Sequence, residues 1–271
     1  MSDDGAVADA RRFVRVLPIR ALIPNAVTVL ALCSGLTGVR FAIAGEWEKA
    51  VAAIIVAGVL DGIDGRIARL LKGTSRFGAE LDSLSDLTAF GVAPALIVYL
   101  WALQVYPGVG WVFALGLAVA CALRLARFNA RLDVDDQPHK RAGFLTGIPA
   151  PVGAGLALSP LFVSFWIGPE WLADDRLRFG VAAAVIAAVA ALMASSWPTY
   201  AWGAIRLRSS WRLVALLGVG LFAGALLSAP WMTLSLLSLA YAASIPFAMR
   251  GYARIKRRSA AVAAAEPDRR A

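Results

Sequence analysis

Charged residues, histidine and cysteine are all scarce in this chain, and each shortage excludes a class of protein. Only 17% of its 271 residues are charged and 59% are hydrophobic, whereas about a quarter of the residues of a soluble domain are charged. Global disorder is excluded because it requires low hydrophobicity. Two cysteines cannot form a disulfide framework, and a single histidine excludes a histidine-rich metal site. Any bound metal must therefore have oxygen ligands.

Long apolar runs recur along the whole sequence. A membrane-spanning helix needs about 20 mostly apolar residues, and the runs predict an all-α, polytopic membrane protein with about eight transmembrane helices. Pro230 is the main sign of a boundary between the last two runs, so seven spans remain an alternative. The predicted spans are Ala21–Ile43, Glu48–Leu71, Gly78–Val105, Gly110–Phe128, Gly147–Trp166, Phe179–Trp197, Leu213–Ser228 and Trp231–Met249.

Basic residues are distributed unevenly between the two sides of this predicted topology. The net charge is +9, and most Lys and Arg residues lie on the side that also carries both chain ends. The exceptions are Arg40, Lys49, Arg176 and Arg178. Because cytoplasmic loops are rich in Lys and Arg, we expect both termini to lie in the cytoplasm. This asymmetry explains the positive charge without a nucleic-acid partner.

Four carboxylates interrupt the second and third apolar runs. Asp61 and Asp64 are three residues apart, and Asp82 and Asp86 are four apart, so each pair lies on one helix face. A charge inside the membrane costs at least about 2.5–3.5 kcal/mol, and such residues mark functional sites. A short loop joins the two helices, which predicts antiparallel neighbours and a cluster of four facing carboxylates.

The predicted cluster favours divalent cations and a phosphate-containing substrate. Four unneutralised carboxylates would repel one another, and Mg²⁺, Mn²⁺ or Ca²⁺ would relieve that repulsion. Two bridged metals are a known device for in-line phosphoryl displacement. Small residues keep the same face clear for a substrate cleft, and Arg69 is a candidate for contacting a phosphate. These small residues are Gly62, Gly65, Ala68 and Gly78.

The stretch from Asp61 to Asp86 resembles the signature of the CDP-alcohol phosphotransferase family, D-x2-D-G-x2-A-R-x8-G-x3-D-x3-D. All eight fixed positions of that pattern are filled within 26 residues; they are Asp61, Asp64, Gly65, Ala68, Arg69, Gly78, Asp82 and Asp86. The resemblance implies a six-helix catalytic core over residues 18–200. It also implies transfer of a phosphatidyl group from a CDP-linked lipid to an alcohol, with release of CMP.

Roles for individual residues follow from the same resemblance. It implies that Asp61, Asp64 and Asp82 bind metal, and that Asp86 is both a ligand and the general base. The positions expected to contact the CDP-lipid include Gly65, Ala68, Arg69, Ser75 and Gly78. The implied cofactors are two divalent cations, Mg²⁺ or Mn²⁺, with Ca²⁺ as a further possibility, and the implied assembly is a homodimer.

Segments outside the signature resemble the bacterial branch of the family that uses L-serine as acceptor. They are 23–28, 90–95, 122–129 and 147–151. Asn25 and Thr28 share one face of the first span, where they would hydrogen-bond the nucleotide, a metal-binding aspartate or a neighbouring helix. Arg124 and Arg127 are either serine-carboxylate ligands or charges that orient the fourth span.

The sequence therefore predicts a phosphatidyltransferase of the cell (inner) membrane with a cytoplasmic active site, CDP-diacylglycerol and L-serine as substrates, and membrane lipid around it. Residues 1–17 and 251–271 are expected to be cytoplasmic tails, with two extra helices over 201–250. Glycerol 3-phosphate, inositol phosphate or choline remain alternative acceptors. An alternative of another class is a cation-coupled transporter, which would use the same intramembrane carboxylates.

Overall fold

The computed structural model describes residues 19–71, 75–132, 144–195, 198–200 and 212–245. The predicted tails at 1–17 and 251–271 lie outside these ranges. The helices are α1 Ile19–Ile43, α2 Trp47–Leu70, α3 Arg76–Asp86, α4 Ala93–Trp101, α5 Pro107–Leu132, α6 Ala150–Ala157, α7 Ser159–Ile167, α8 Asp175–Ala194, α9 Arg212–Ser228 and α10 Pro230–Ile245. Single 3₁₀ turns cover Leu103–Val105 and Pro169–Leu172.

Helices α1 and α2 form an antiparallel hairpin that carries the first carboxylate pair. The turn between them contains Gly45, whose φ of 75° lies in the left-handed region that glycine tolerates. The helices pack closely at Gly38, where a Cβ would lie only 3.0 Å from the carbonyl oxygen of Ala50. A hydrogen bond of 2.8 Å from Ser34 Oγ to the carbonyl of Ala53 also links them. Small and hydroxylated residues are typical of helix interfaces in membranes.

Helices α3 and α4 are joined by a π-helical segment, Leu87–Val92, so that Arg76–Trp101 forms one long helical run. Pro94, two residues after this segment, cannot donate an intrahelical hydrogen bond, which disturbs the regular α-helical ladder. The segment packs tightly on both sides. A Cβ on Gly35 of α1 would lie 2.8 Å from Cα of Ala89, and a Cβ on Gly91 would lie 2.9 Å from Cβ of Cys121.

The buried core lies where α4, α5, α6, α7 and α8 meet the π-helical segment. Its largest fully buried side chains include Phe90, Ile97, Leu117, Leu161 and Ile186. Many Leu, Val and Ile side chains point outward from the bundle, as expected for helices whose outer faces contact lipid. Helix α9 is the extreme case, with Leu213 71% exposed and Leu227 86% exposed.

The structure confirms a helical, polytopic membrane protein. Within the described ranges, four helical runs are long and apolar enough to span a membrane: Leu22–Ile43, Arg76–Trp101, Pro107–Ala130 and Asp175–Ala194. A fifth is possible if α6 and α7 form one bent span, while α9 and α10 contain shorter apolar helices. Helix α2 is 24 residues long but carries the charged residues of the signature.

Two local features differ from the prediction. The span expected over Gly147–Trp166 is broken into α6 and α7, which meet at 43°, because Pro160 at the start of α7 cannot continue the hydrogen-bond ladder. A short antiparallel ribbon pairs Phe144–Thr146 with Pro198–Tyr200. The ribbon ties the chain before α6 to the chain after α8, a long-range pairing without a local sequence signal.

Candidate metal centre and active site

The carboxylates of the signature converge between α2 and α3, as the helical spacing predicts. One carboxylate oxygen from each of Asp61, Asp64 and Asp82 can be chosen so that all three lie within 4.8 Å of one another. Asp61 and Asp64 project from the second half of α2, and Asp82 projects from α3. Three oxygen donors at this separation suit a hard divalent cation.

Asp86 lies in the last turn of α3 and adjoins the same cluster. Its carboxyl group is within hydrogen-bonding reach of Asp61 and interacts electrostatically with Asp82. Two carboxyl groups in such contact need a proton or a cation between them. Among the described residues, Arg124 of α5 interacts electrostatically with Asp86. A cluster of acidic groups such as this one favours divalent cations, which would neutralise its negative charge.

Helix α1 fixes the orientation of Asp64. The hydroxyl of Thr28 donates a 2.6 Å hydrogen bond to Asp64 Oδ2, and Asp64 is only 4% exposed. Ser85 of α3 donates in turn to the backbone carbonyl of Thr28, at 3.1 Å. The partner of the Thr28 hydroxyl is thus a candidate metal-binding aspartate. The two hydrogen bonds together link α1, α2 and α3 in one buried network.

Asn25, Ser75 and Gly78 meet at the beginning of α3. The Ser75 hydroxyl accepts a 3.0 Å hydrogen bond from the Gly78 amide and caps the helix. A Cβ on Gly78 would lie 2.8 Å from Asn25 Oδ1 and 3.1 Å from Ser75 Oγ. A side chain at position 78 would therefore displace the Asn25 amide, even without a bound nucleotide.

An open surface follows α2 beside the carboxylates. A Cβ built on Gly62 or on Gly65 meets no atom within 4 Å, and Arg69 is exposed one turn after Gly65. Ala68 is half-buried on the same helix. This face of α2 therefore has free space and an exposed basic side chain one turn apart, and the substrate cleft stays a prediction.

The two arginines of α5 have different environments. Arg127 donates to the carbonyl of Leu123 at 3.3 Å and to the carbonyl of Met193 at 3.2 Å, so it binds the last turn of α8. Arg124 is largely buried, and its Nε has no hydrogen-bond partner in the part of the chain that the structure describes. Asn129, two residues after Arg127, donates a hydrogen bond of 2.9 Å from its Nδ2 to Ser83 Oγ of α3.

Sequence reasoning missed the contributions of Ser85 and Asn129. Ser85 lies between two aspartates of the signature, and its polarity inside a membrane helix was the available signal. Asn129 ends one of the segments that resemble the serine-accepting branch, but nothing in its spacing indicates Ser83 as its partner. Both contacts join helices distant in sequence.

Fold and site together define a class: a helical membrane protein with a carboxylate cluster and an adjacent exposed face that carries two glycines and an arginine. The comparisons make this class specific. A family model described as CDP-alcohol phosphatidyltransferase matches residues 21–193, and the model described as CDP-alcohol phosphatidyltransferase 2 matches residues 210–246. The chain belongs to the CDP-alcohol phosphatidyltransferase family, which confirms the prediction from the eight-position signature.

Relatives of this chain from three bacteria share the same enzyme name. The chain is 39% identical over 230 residues to the CDP-diacylglycerol–serine O-phosphatidyltransferase of Mycobacterium tuberculosis, covering 84% of this chain and 78% of that protein. It is 37% identical over 228 residues to the enzyme of the same name from Mycobacterium leprae, covering 84% and 74%. The Helicobacter pylori enzyme of that name is 36% identical over 137 residues, covering 51% and 56%.

Proposed function

We propose that this protein transfers the phosphatidyl group of CDP-diacylglycerol to the hydroxyl of L-serine and releases CMP. The observation that carries the proposal is the carboxylate cluster of Asp61, Asp64 and Asp82, with Asp86 adjacent to it. The choice of serine is supported by the similarity to relatives named for that acceptor over 84% of the chain.

The residues of the cluster would hold divalent cations, which we propose number two, as Mg²⁺ or Mn²⁺, with Ca²⁺ as the alternative. Bound there, they would stabilise negative charge on the diphosphate and on the attacking oxygen. Asp61, Asp64 and Asp82 serve as ligands, and Thr28 holds the Asp64 carboxylate in place. The free space above Gly65 admits the diphosphate, with Arg69 positioned to bind one of its oxygens.

Asp86 acts as general base and as a further ligand. It accepts the proton of the serine hydroxyl as that oxygen forms a bond to the phosphorus of the phosphatidyl group. The bond from this phosphorus to the CMP oxygen breaks, and CMP leaves. Arg124, which interacts electrostatically with Asp86 and whose Nε has no hydrogen-bond partner among the described residues, binds the serine carboxylate. Arg127 instead stabilises the end of α8.

We extend the proposal to topology and assembly. The chain crosses the cell (inner) membrane eight times, with a six-helix catalytic domain over 18–200 and two further spans over 201–250. Both termini and the active site face the cytoplasm, since Arg66, Arg69 and Arg76 flank the ends of α2 and α3 that carry the carboxylates. The homodimer rests on the family resemblance alone.

Release of CMP by purified protein in detergent tests the proposal. CDP-diacylglycerol and Mg²⁺ or Mn²⁺ are supplied with L-serine, glycerol 3-phosphate, inositol phosphate or choline in parallel. Asp86→Asn removes the general base while keeping the size of the side chain. Glu80→Gln, an exposed acidic position on the same helix, is the matched control.

We expect serine-dependent CMP release that Asp86→Asn reduces at least about a hundredfold and that Glu80→Gln leaves unchanged. Release with a different acceptor would keep the chemistry and refute the choice of serine. A folded protein that releases CMP with none of the four acceptors would refute the proposed transfer reaction.

A further inference from the structure

Two contacts fix the alignment of helix α5 against the helical run formed by α3, the π-helical segment and α4. In the first contact, Asn129 Nδ2 of α5 donates a hydrogen bond of 2.9 Å to Ser83 Oγ of α3. In the second, a Cβ on Gly91 of the π-helical segment would lie 2.9 Å from Cβ of Cys121. Residue numbers rise along one partner and fall along the other, so the two partners run antiparallel.

These two contacts bracket the charged groups that are proposed to act on the acceptor. Asp86 lies between them on the run that begins with α3, and Arg124 lies between them on α5. An antiparallel alignment that is held at both contacts therefore places Arg124 opposite Asp86. The electrostatic interaction between the two groups agrees with this placement.

The Asn129 amide bridges a gap between α5 and α3. The backbone of α5 packs closely against the π-helical segment and only sparsely against α3. The two helices therefore separate toward the end of α5, where the hydrogen bond to Ser83 connects them. On its other side the same end of α5 is bound to α8 through Arg127. Without the Asn129 amide, this end would keep its hydrogen bond to α8 and lose its hydrogen bond to α3.

We propose that Asn129 is a positioning residue for the acceptor end of the active site, because it holds α5 at a fixed distance from α3. This inference rests on the proposed function, in which Arg124 binds the serine carboxylate and Asp86 accepts the proton of the serine hydroxyl. Both groups act on one small molecule, so their separation must match the separation of its carboxylate and hydroxyl. A misplacement of about 1 Å is enough to impair catalysis.

The metal ligands and the predicted contacts to the CDP-lipid depend on other hydrogen bonds. The buried network from Ser85 through Thr28 to Asp64 joins α3, α1 and α2 without a contribution from α5. Loss of the Asn129 amide should therefore affect the acceptor and leave the metal and the CDP-lipid largely unaffected. This selectivity distinguishes positioning from a general loss of packing.

Steady-state kinetics of Asn129→Leu and of Ser83→Ala in the full-length protein test this role. Either variant removes the hydrogen bond between α5 and α3, and KM for serine should rise roughly three- to tenfold. KM for CDP-diacylglycerol should stay within about twofold. The midpoint of a Mg²⁺ titration, followed by thermal unfolding without substrate, should also stay within about twofold.

Three further variants separate this hydrogen bond from local effects. Ser83→Thr keeps the hydroxyl and should keep KM for serine within about twofold of the wild type. Thr88→Val is the matched control, since it removes a hydroxyl that donates 2.9 Å to the Leu84 carbonyl within the same helical run; both KM values should be unchanged. The double variant of Asn129→Leu with Ser83→Ala should differ from either single variant by less than about twofold, because both remove one shared bond.

An unchanged KM for serine in both single variants would refute the inference, as would an equal rise in KM for both substrates. Effects that multiply in the double variant would refute the proposed route through Ser83. If the wild type uses another acceptor, the choice of serine fails and KM for that acceptor is compared instead; a selective rise supports the role of Asn129, and its absence refutes it. A folded wild type that releases CMP with no acceptor refutes the proposed function, and this inference with it.

Discussion

The hydrogen bond from Thr28 to Asp64 gives the most direct test of the metal centre. Thr28→Val keeps the branched shape of the side chain and removes only the hydroxyl, whose oxygen lies 2.6 Å from Asp64 Oδ2. A hydrogen bond to a charged group contributes about 1.5–3 kcal/mol. Two kcal/mol corresponds to roughly 30-fold weaker cation binding, within the range of about 10- to 100-fold typical of residues that orient metal ligands.

Thermal unfolding in detergent, with Mg²⁺ or Mn²⁺ titrated and no substrate present, measures this effect without activity. A cation at about 100 times its dissociation constant stabilises the folded protein by about 2.7 kcal/mol. With 30-fold weaker binding, the same concentration should stabilise Thr28→Val by only about 0.9 kcal/mol. The midpoint of the titration should shift to roughly 30-fold higher concentration.

Two variants on the same helix control this measurement. Thr37→Val removes a hydroxyl that donates a hydrogen bond of 2.7 Å to the carbonyl of Cys33, away from the carboxylate cluster. The cation titration of this variant should have the same midpoint as that of the wild type. Thr28→Ser retains the donor and should restore most of the affinity. A wild-type midpoint in Thr28→Val, or an equal shift in Thr37→Val, would contradict the role of this contact.

Two further predictions concern the open surface and the second arginine. Gly65→Ala places a Cβ in free space, so thermal stability should be kept or raised by up to about 1 kcal/mol, while KM for CDP-diacylglycerol should rise. The control is Gly116→Ala, where a Cβ also meets no atom within 4 Å; it should gain stability without a change in the kinetic constants. Arg127→Gln removes the hydrogen bond from Arg127 to the Met193 carbonyl, so the free energy of unfolding should fall by about 1–2 kcal/mol. KM for serine should stay within about twofold. Unchanged kinetics in Gly65→Ala, or a selective rise in KM for serine in Arg127→Gln, would contradict these assignments.

Much of the site was predictable because its geometry is local. Helical periodicity alone puts Asp61 with Asp64 and Asp82 with Asp86, and the short connection between α2 and α3 brings the pairs together. The cost of a charge in an apolar run marks these positions as functional. Likewise, apolar runs of about 20 residues identify membrane helices from composition and length.

Contacts between distant residues could not be predicted in the same way. Thr28 and Asp64 are 36 positions apart, and Arg127 and Met193 are 66 apart. Both arginines of α5 have the same local pattern, yet only the packing of α8 engages Arg127 and leaves Arg124 facing Asp86. A side chain finds such partners through the relative rotation and offset of whole helices, which a linear pattern does not encode.

The sequence by itself determined the membrane class, the family and the identity of the clustered carboxylates, since each depends on residue type and spacing within a few helical turns. Tertiary structure alone decided that Thr28 binds Asp64, that the Asn25 side chain lies beside Gly78, and that Arg127 of α5 binds the last turn of α8. The physical reason is that membrane helices pack by close contact of small residues and by hydrogen bonds across interfaces, and these interfaces form only when the whole bundle is assembled.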